Sequence, residues 1–476
     1  MSDLTPETAA TAGVSSGDPE RPLSLKVCMG WGVGSLGMAV MFGLISTFAL
    51  SFMTNYLAIS AGVAGALLGL SKIYDAVTDP LMGVISDRTG GSIGRRRPYL
   101  LAGAFMLAAT MVLMFNVPDF ATPTGAAIYM TAMLLLYATA YTVFNVPYLA
   151  MPAEMTEGYH ERAYLMSFRV YGIAGAGYVG YFGGPIIIDY FGGGRAGFEG
   201  MAWVMGAAVL ASSVACYYFT KDAPFKHKVD SAPVGFKAQV RLIMQNRPFL
   251  WLMLAKMFGL LGQALSNPAK AFFFPLVLGA SLSSFGWYWF AFYTAMTVSQ
   301  TFWLKLGKSH GKRDIFIAAL LLTVCINLTW LLATPAEAFG VTLLRGVALG
   351  FLGGATLLMG QAMLPDTMEY DLRITGLRRE GVYAGVYTTI EKLAFAFGPA
   401  ITGIVLAAMG YVASSDGIAE QPDSAILAVY ICAAGLPAIT GLLAALSLLG
   451  YDLTEEKLKA TKAVDVASEG AQITAR

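Results

Sequence analysis

Apolar residues fill this chain in long runs, and short polar connections separate one run from the next. A helix needs about 20 mostly apolar residues to cross a bilayer, and twelve runs are long enough. They lie at 28–55, 61–86, 98–117, 124–151, 164–189, 199–219, 248–278, 282–306, 314–333, 337–365, 381–410 and 425–450. The pattern predicts an all-α integral membrane protein with twelve transmembrane helices, which we number as spans 1 to 12.

The longest polar connection falls in the middle of the chain and leaves six spans on each side. An equal division of this kind is typical of two pseudo-symmetric six-helix bundles with a site between them near the bilayer midplane. The predicted organisation is a disordered tail at 1–22, an N-terminal bundle at 23–219, a central loop at 220–247, a C-terminal bundle at 248–450 and a second tail at 451–476.

Positive charge predicts the orientation, because Lys and Arg are retained on the cytoplasmic side of a membrane. The connections after even-numbered spans are rich in both residues, for example Arg95, Arg96 and Arg97 after span 2. The opposite connections hold essentially Arg195 alone. We therefore predict a multi-pass protein of the cytoplasmic (inner) membrane with both termini in the cytoplasm.

Composition excludes several classes of function. Charged residues make up 13% of the 476 residues and apolar residues 56%, whereas a soluble domain carries about 25% charge. The formal net charge of +1 gives no attraction to nucleic acid. The four cysteines lie in apolar segments without a CxxC pair, and the three histidines lie in polar connections. We expect no disulfide framework, no metal site and no organic cofactor, and an enzyme is disfavoured because no nucleophile–base constellation emerges.

Three charges near the centre of span 2 stand out, namely Lys72, Asp75 and Asp79. Each unpaired charge there costs about 2.5–3.5 kcal/mol. Asp75 and Asp79 are four residues apart and share one helical face, which Lys72 also reaches. Two close carboxylates in a low dielectric should hold a proton or a monovalent cation between them. The alternative is a self-neutralising Lys72–Asp75 pair, which leaves Asp79 unexplained. Pro80 should disturb the helix at Asp79 and expose carbonyl oxygens.

Other polar residues fall inside the predicted spans. Thr142 and Asn145 share a face of span 4, and Arg169 lies just inside span 5. The alternatives are that Thr142 hydrogen-bonds its own backbone and that Arg169 snorkels to the interface. Glu391 and Lys392 of span 11 are adjacent, so they should meet partners on different helices.

Two further groups have conventional interpretations. Lys256 and Lys270 lie toward the ends of span 7 and are interpreted as snorkelling side chains. Trp287, Tyr288 and Trp289 open span 8 and are interpreted as interfacial anchors, with stacking on a sugar ring as the alternative.

Five segments together resemble the glycoside–pentoside–hexuronide:cation symporters, a group with the major facilitator fold. They are KIYDAVTDPLMG (72–83), GRRRPYLLAG (94–103), YTVFNVPY (141–148), MEYDLRITGLRREG (368–381) and YTTIEKLAFAFG (387–398). The resemblance implies a coupling-cation site at Asp75, Asp79 and Thr142. Thr78 joins this set, and it stands where sodium-dependent members often have Asn, so the ion is either H+ or Na+.

The resemblance also implies a substrate site and a gate. The substrate site is assigned to Lys72, Asn145, Tyr148, Arg169, Glu391 and Lys392. Two carboxylates that bind sugar in melibiose-permease-like members are replaced by Ala39 and Asn145. A cytoplasmic gate is assigned to Glu161 and Arg162 on one side and Asp366, Glu369 and Arg378 on the other.

The expected function is import of a small organic solute by symport with H+ or Na+ through alternating access. The solute is a glycoside, sugar or sugar acid; without carboxylates at Ala39 and Asn145, an acidic substrate held by Arg169 and Lys392 should bind better than a neutral galactoside. The same machinery moving an amphiphile such as a lysolipid is the alternative, followed by a non-transporting sensor. The expected partners are the substrate, the cation and the bilayer, and a monomer can suffice.

Overall fold

The computed structural model describes residues 23–90, 95–156, 159–221, 223, 243–376 and 379–461. The predicted tail at 1–22, the end of the second tail and most of the central loop at 220–247 lie outside these residues. The chain that is described is helical, and twelve long helical segments in it match the twelve predicted spans. They are α1 Leu25–Tyr56, α2 Ala61–Arg88, α3 Arg97–Phe115, α4 Pro123–Ala150, α5 Tyr159–Ala176 continued by Gly177–Gly183 and Gly184–Tyr190, α6 Gly194–Phe219, α7 Arg247–Leu276, α8 Leu282–His310, α9 Lys312–Thr329 continued by Trp330–Leu332, α10 Phe339–Thr375, α11 Glu380–Ala408, and α12 Asp423–Tyr430 continued by Ile431–Gly435 and Leu436–Leu449.

By length and composition alone, nine of the described helices are able to cross a membrane. The other three long segments are α2, α5 and α8. Two short helices, Pro152–Met155 and Glu455–Ala460, complete the described elements. The protein is therefore a multi-pass membrane protein whose described residues form helices and their connections, as its sequence predicts.

Several helices differ in detail from the predicted spans. The span predicted to end at 365 continues to Thr375, where Gly376 ends the helix with a left-handed φ of 68°. The apolar pattern stops ten residues earlier because hydropathy records the membrane boundary and not the end of the helix. The prediction that Pro80 disturbs the helix at Asp79 is wrong, since α2 runs unbroken from Ala61 to Arg88.

A π-helical turn interrupts α5 at Gly177–Gly183, in the sequence GYVGYFG. Such turns insert an extra residue into a helix and are frequent at functional sites. A Cβ atom at Gly177 would come within 2.6 Å of the ring of Tyr293 in α8. The turn therefore lies where the two halves of the protein meet, and only glycine allows this close approach.

Helices α1–α6 pack on one another, helices α7–α12 do the same, and the two halves meet where α2 packs on α11, α5 on α8 and α1 on α7. A close backbone approach between the halves joins Gly65 of α2 to Gly403 of α11. A Cβ atom built at Gly65 would lie 2.7 Å from the Pro399 carbonyl oxygen. We call the end of the bundle that holds the α1–α2 connection the outer end and the opposite end the inner end, after the predicted orientation.

Hydrogen bonds between the halves close the outer end. The backbone N–H groups of Ser414 and Gly417 donate to the carbonyl oxygens of Thr54 and Asn55, both at 2.9 Å, and Ala58 N–H donates to Ser414 O at 2.9 Å. The Tyr411 hydroxyl donates to Asn55 Oδ1 at 2.8 Å. We call this set the outer clasp.

A second contact at the outer end joins α5 to α8. The Asp189 carboxylate at the end of α5 accepts a 2.7 Å hydrogen bond from the backbone N–H of Ser283 in the first turn of α8. A carboxylate at a helix N-terminus is favoured by the unpaired N–H groups there. Together with the outer clasp, this contact holds the two halves closed on one side of the membrane.

Candidate cation and substrate site

Asp75 is a buried carboxylate in which one oxygen has a partner and the other has none among the described residues. Its side chain belongs to a residue that is only 4% exposed. Lys72 Nζ lies 3.1 Å from Asp75 Oδ2 and also faces the Tyr137 ring at 4.7 Å from its centre. Asp75 Oδ1 has no hydrogen-bond partner among the described residues. The Lys72–Asp75 pair therefore forms, but it leaves a buried acceptor unused, and buried acceptors without partners are rare.

Asp79 is held from both halves of the protein. The Thr142 hydroxyl of α4 donates to Asp79 Oδ1 at 2.6 Å. Asp79 Oδ2 forms an ion pair with Lys392 of α11. Thr142 thus uses its hydroxyl on the acid and not on its own backbone. The Lys392 ammonium takes the place beside Asp79 that a monovalent cation would take.

Thr78 lies beside this acid and adds another oxygen. Its hydroxyl is 3.4 Å from Thr142 Oγ1 and donates to Tyr74 O at 3.1 Å. The structure thus brings Thr78, Asp79 and Thr142 together. Their role in binding a coupling cation stays a prediction.

The predicted substrate residues do not all lie together. Asn145 is half-buried on α4. Arg169 approaches Tyr141, the ring that also packs against Lys72. Its Nε is buried without a hydrogen-bond partner in the described part of the chain.

Tyr148 lies near Arg169 but is packed between two helices. It is 1% exposed, its ring stacks on Trp31 at 4.8 Å between centres, and its hydroxyl donates to Trp31 O at 2.9 Å. The side chain fills the packing between α1 and α4, so its assignment to a substrate site is not supported. The sequence around Pro147 is the same whether the Tyr148 side chain packs between α1 and α4 or faces a substrate site, so it does not distinguish the two.

Glu391 and Lys392 meet different helices, as their adjacent positions predict. Lys392 reaches α2, and Glu391 Oε2 lies 3.8 Å from Lys256 Nζ of α7. The Lys256 ammonium also lies over the ring of Tyr387. The interpretation of Lys256 as a snorkelling residue is therefore wrong, because its side chain turns inward to other protein groups and is only 13% exposed.

The outer part of the C-terminal half corrects three more interpretations. Lys270 is 5% exposed and donates to the Tyr288 hydroxyl at 2.7 Å, so it does not snorkel. Tyr288 and Trp289 are buried as well, and only Trp287 remains exposed as an interfacial anchor would. The hydropathy pattern locates these residues near a helix end but does not show which way they face.

The predicted gate residues pair within their own halves. Glu161 accepts from Leu23 N–H at 2.5 Å, and Arg162 donates to Thr156 O at 3.0 Å. In the C-terminal half, Asp366 pairs with Lys312 at 2.6 Å and Glu369 pairs with Arg373. Arg378 lies outside the described residues. The structure thus does not bring the two sets together, and a gate formed when the inner end closes stays a prediction.

Apart from Lys270 toward the outer end, seven charged residues of the predicted spans are embedded in α2, α5, α7 and α11, and the Asp79–Lys392 pair joins the two halves. They are four cations and three carboxylates, namely Lys72, Arg169, Lys256, Lys392, Asp75, Asp79 and Glu391. Charges at this depth mark ion and substrate pathways. An acid shared by two helical bundles that are closed at one end is the arrangement of a secondary transporter that alternates between two open states.

Comparison with known proteins agrees with this class. The family model described as MFS/sugar transport protein matches residues 30–455. The chain belongs to this family, and within it to the glycoside–pentoside–hexuronide:cation symporters.

Three curated relatives illustrate the family. The putative glycoside/cation symporter YagG of Escherichia coli is 28% identical over 92% of this chain and 94% of its own length. The isoprimeverose transporter of Lactiplantibacillus pentosus is 27% identical over 90% of this chain and 89% of its own. The putative sulfoquinovose importer of E. coli is 26% identical, covering 94% of this chain and 96% of the relative.

Solved structures share the fold at lower identity. A D-xylose–proton symporter superposes with a TM-score of 0.62 at 15% identity, covering 92% of this chain and 98% of that one. A bacterial homologue of the lysosomal transporter Spinster, in an inward-facing and unoccupied conformation, gives a TM-score of 0.64 at 14% identity, covering 93% and 98%. These likenesses support the major facilitator fold and nothing more specific.

Proposed function

We propose that this protein imports a glycoside, sugar or sugar acid across the cytoplasmic membrane together with H+ or Na+. The observation that carries the proposal is the double engagement of Asp79, by Thr142 from the N-terminal half and by Lys392 from the C-terminal half. A coupling cation and the Lys392 ammonium compete for the same carboxylate, because two positive charges repel each other at that distance. Cation binding therefore releases Lys392.

The release of Lys392 links the ion to the substrate. Once the cation neutralises Asp79, the Lys392 ammonium needs another partner in a low dielectric. A carboxylate or sulfonate on the substrate supplies that partner, and Arg169 offers a second cation whose Nε has no partner among the described residues. With four embedded cations against three carboxylates, the site carries a net positive charge before the ion binds and a larger one afterwards. This balance supports an acidic substrate over a neutral galactoside.

The polar lining also supports a sugar over an amphiphile. Charged and hydroxyl groups from α2, α4 and α11 meet at Asp79, and each needs a hydrogen-bonding partner when water leaves. A hydroxylated ring supplies such partners, whereas an acyl chain does not. The names of the relatives, which include an isoprimeverose transporter and a putative sulfoquinovose importer, support the same substrate class.

Uptake into proteoliposomes tests this function. Asp75→Asn and Asp79→Asn should each abolish uphill accumulation of a sugar or sugar acid driven by a Na+ or H+ gradient. Each substitution leaves the lysine partner, Lys72 or Lys392, without its acid, so insertion and folding of both variants are verified before uptake is compared. Asp314→Asn, whose side chain is 74% exposed, is the matched control. A variant at Asp75 or Asp79 that still concentrates substrate at the normal rate contradicts the coupling assignment.

A further inference from the structure

The Asp79–Lys392 ion pair lies on the helix interface that leads to the outer clasp. Toward the outer end, a Cβ atom built at Gly69 of α2 would lie 3.3 Å from the Ala396 carbonyl oxygen of α11, and Gly65 packs on α11 beyond it. Toward the inner end, the same two helices are joined by Asp79 and Lys392. Because α2 and α11 end in the two connections that form the clasp, breaking the clasp moves these helices apart.

Four charges balance one another along this interface. Lys72 pairs with Asp75 at 3.1 Å within α2, and Lys392 of α11 pairs with Asp79 of α2. Lys392 is also close enough to Asp75 and Lys72 to interact with their charges. We call these four residues the α2–α11 quartet. Its first pair belongs to one helix and moves with it, so only the second pair depends on how the two halves sit.

An unpaired charge in the quartet opposes contact between the halves. The side chain of Asp79 is 19% exposed and that of Lys392 is 34% exposed, so most of each charged residue is out of water. Leaving one member of such a pair without its partner is costly, and the cost falls when water reaches the lone charge. Separation of α2 from α11 admits that water. The closed outer end is therefore favoured when the quartet is neutral and disfavoured when it carries a net charge.

A coupling cation at Asp79 changes this balance. Without the cation, two lysines face two aspartates and the quartet is neutral. With the cation, the quartet has one positive charge in excess and Lys392 is displaced. A turn of Lys392 toward Asp75 does not remove the excess, because that carboxylate already balances Lys72. An acidic group on the substrate does remove it.

We propose that Lys392 keeps the protein from carrying the coupling cation alone, because it opposes closure of the outer end when the cation is bound without an acidic substrate. This inference rests on the proposed function, since it needs a cation at Asp79. Closure is then favoured for the empty protein and for the protein that holds both cation and substrate. One lysine on the half opposite the cation site thus makes transport of the ion depend on the solute.

Hydrogen exchange at the outer clasp tests the proposal without any substrate. The full-length protein is placed in lipid nanodiscs, and protection factors are measured at the amides of Ala58, Ser414 and Gly417, first at high pH without Na+, then with Na+, then at low pH. One of these cations should lower protection of the native protein about tenfold, and the same cation should raise protection of Lys392→Met about tenfold. The sign reverses because the cation neutralises an Asp79 that has no other partner in the variant.

Three further variants separate charge balance from other effects. Asp79→Asn leaves Lys392 unpaired and should show low protection with and without cation. The double variant Asp79→Asn/Lys392→Met has no charge at either position, so it should recover the protection of the empty native protein and respond to neither cation. Lys392→Arg keeps the charge and should respond with the native sign. Lys457→Met, which removes an ion pair with Asp452 in the short C-terminal helix, controls for loss of a lysine.

The contrary outcomes separate this proposal from the function on which it rests. If native protein and Lys392→Met respond to the cation with the same sign, or if only Lys392→Met responds, Asp79 takes the cation but the lysine does not oppose closure, and the proposal alone is overturned. If neither Na+ nor low pH changes protection in any of these proteins, no coupling cation binds and the proposed function fails as well. Should Lys392→Met not fold, a native protein whose protection does not fall with either cation overturns the proposal, and so does a double variant whose protection falls as the native protein's does.

Discussion

Asp79 is a charge inside the membrane that two other helices hold, α4 through Thr142 and α11 through Lys392. A charge inside a membrane is conspicuous in a sequence because it is costly, so Lys72, Asp75 and Asp79 could be identified from hydropathy alone. Helical spacing then groups residues of one helix on a face. It does not show which other helix that face meets. For this reason the sequence does not show that Lys256 pairs with Glu391 or that the Tyr148 ring stacks on Trp31.

The Thr142 hydroxyl should tune the affinity of the cation site. Thr142→Val removes the 2.6 Å hydrogen bond to Asp79, and a hydrogen bond to a charged group contributes about 1.5–3 kcal/mol. Because the bond stabilises the carboxylate in its cation-free form, its loss should make Asp79 bind a cation more tightly, and the cation concentration that half-activates uptake should fall roughly tenfold or more. Titration of uptake against Na+ and against pH measures the shift.

Two control variants accompany Thr142→Val. Thr142→Ser keeps the hydroxyl and should retain most of the native affinity. Thr139→Val, one turn away on α4, removes a contact with the Tyr74 hydroxyl and not with an acid, so the cation dependence should be unchanged. Equal shifts in Thr142→Val and Thr139→Val would mean that loss of any α4 hydroxyl, and not the bond to Asp79, changes the affinity.

At the scale of elements, the sequence predicted the existence of the helices better than their contacts. Each apolar run became a helix because a lipid-exposed backbone must satisfy its own hydrogen bonds. Gly65 and Gly403 are two of 53 glycines in the chain, and nothing in their local sequence distinguishes the pair at which α2 and α11 meet. The π-helical turn in α5 is equally hidden in the sequence, since Gly177 matches a contact with α8 and Gly180 a contact with α1, and neither follows a local pattern.

The crossing of α2 and α11 predicts a variant that disfavours the outer-closed state. A Cβ atom at Gly403 would lie 2.9 Å from Gly65 Cα and would also clash with Ala61 O, so both neighbours are backbone. Gly403→Ala should cost this state about 1–3 kcal/mol. Transport should slow, and hydrogen exchange at the amides of Ala58, Ser414 and Gly417 should speed up roughly tenfold as the outer clasp opens more often.

Gly385 of the same helix provides the matched control, because a Cβ atom there meets nothing within 4 Å. Gly385→Ala should leave both transport and exchange at the outer clasp unchanged. If the amides of the outer clasp exchange at the same rate in Gly403→Ala as in the native protein, the added methyl group is accommodated. The close packing of α2 on α11 described here would then be contradicted.

For the whole molecule, the spacing of the apolar runs predicts two groups of six helices. It does not predict which end of the molecule is closed. The sequence encodes an outward-open and an inward-open arrangement with the same helices, so it does not indicate which end is closed. Asn55 and Tyr411 bond across the outer end, while Asp366 and Arg162 remain within their own halves. Each of these residues is an ordinary loop or helix-end residue in the sequence.

Reporter fusions test the orientation of the whole protein. Fusions after residues 95, 225 and 376 should report the cytoplasm, and fusions near 120, 195 and 418 should report the outside, because Lys and Arg concentrate in the first set of connections. The two groups serve as controls for each other. An inverted signal at two sites would reverse the outer and inner ends as named here.

The outer clasp also bears on how freely this part of the sequence can change. Three of its bonds use only backbone atoms of Thr54, Asn55, Ala58, Ser414 and Gly417, and every residue other than proline carries the same donor and acceptor. A saturation library across 412–418 should therefore tolerate most substitutions when scored for uptake. Gly417 is the exception, since its φ of 113° suits glycine alone. Closure of the outer end therefore depends on the path of the backbone. The side chains of this loop can differ among related proteins without loss of closure.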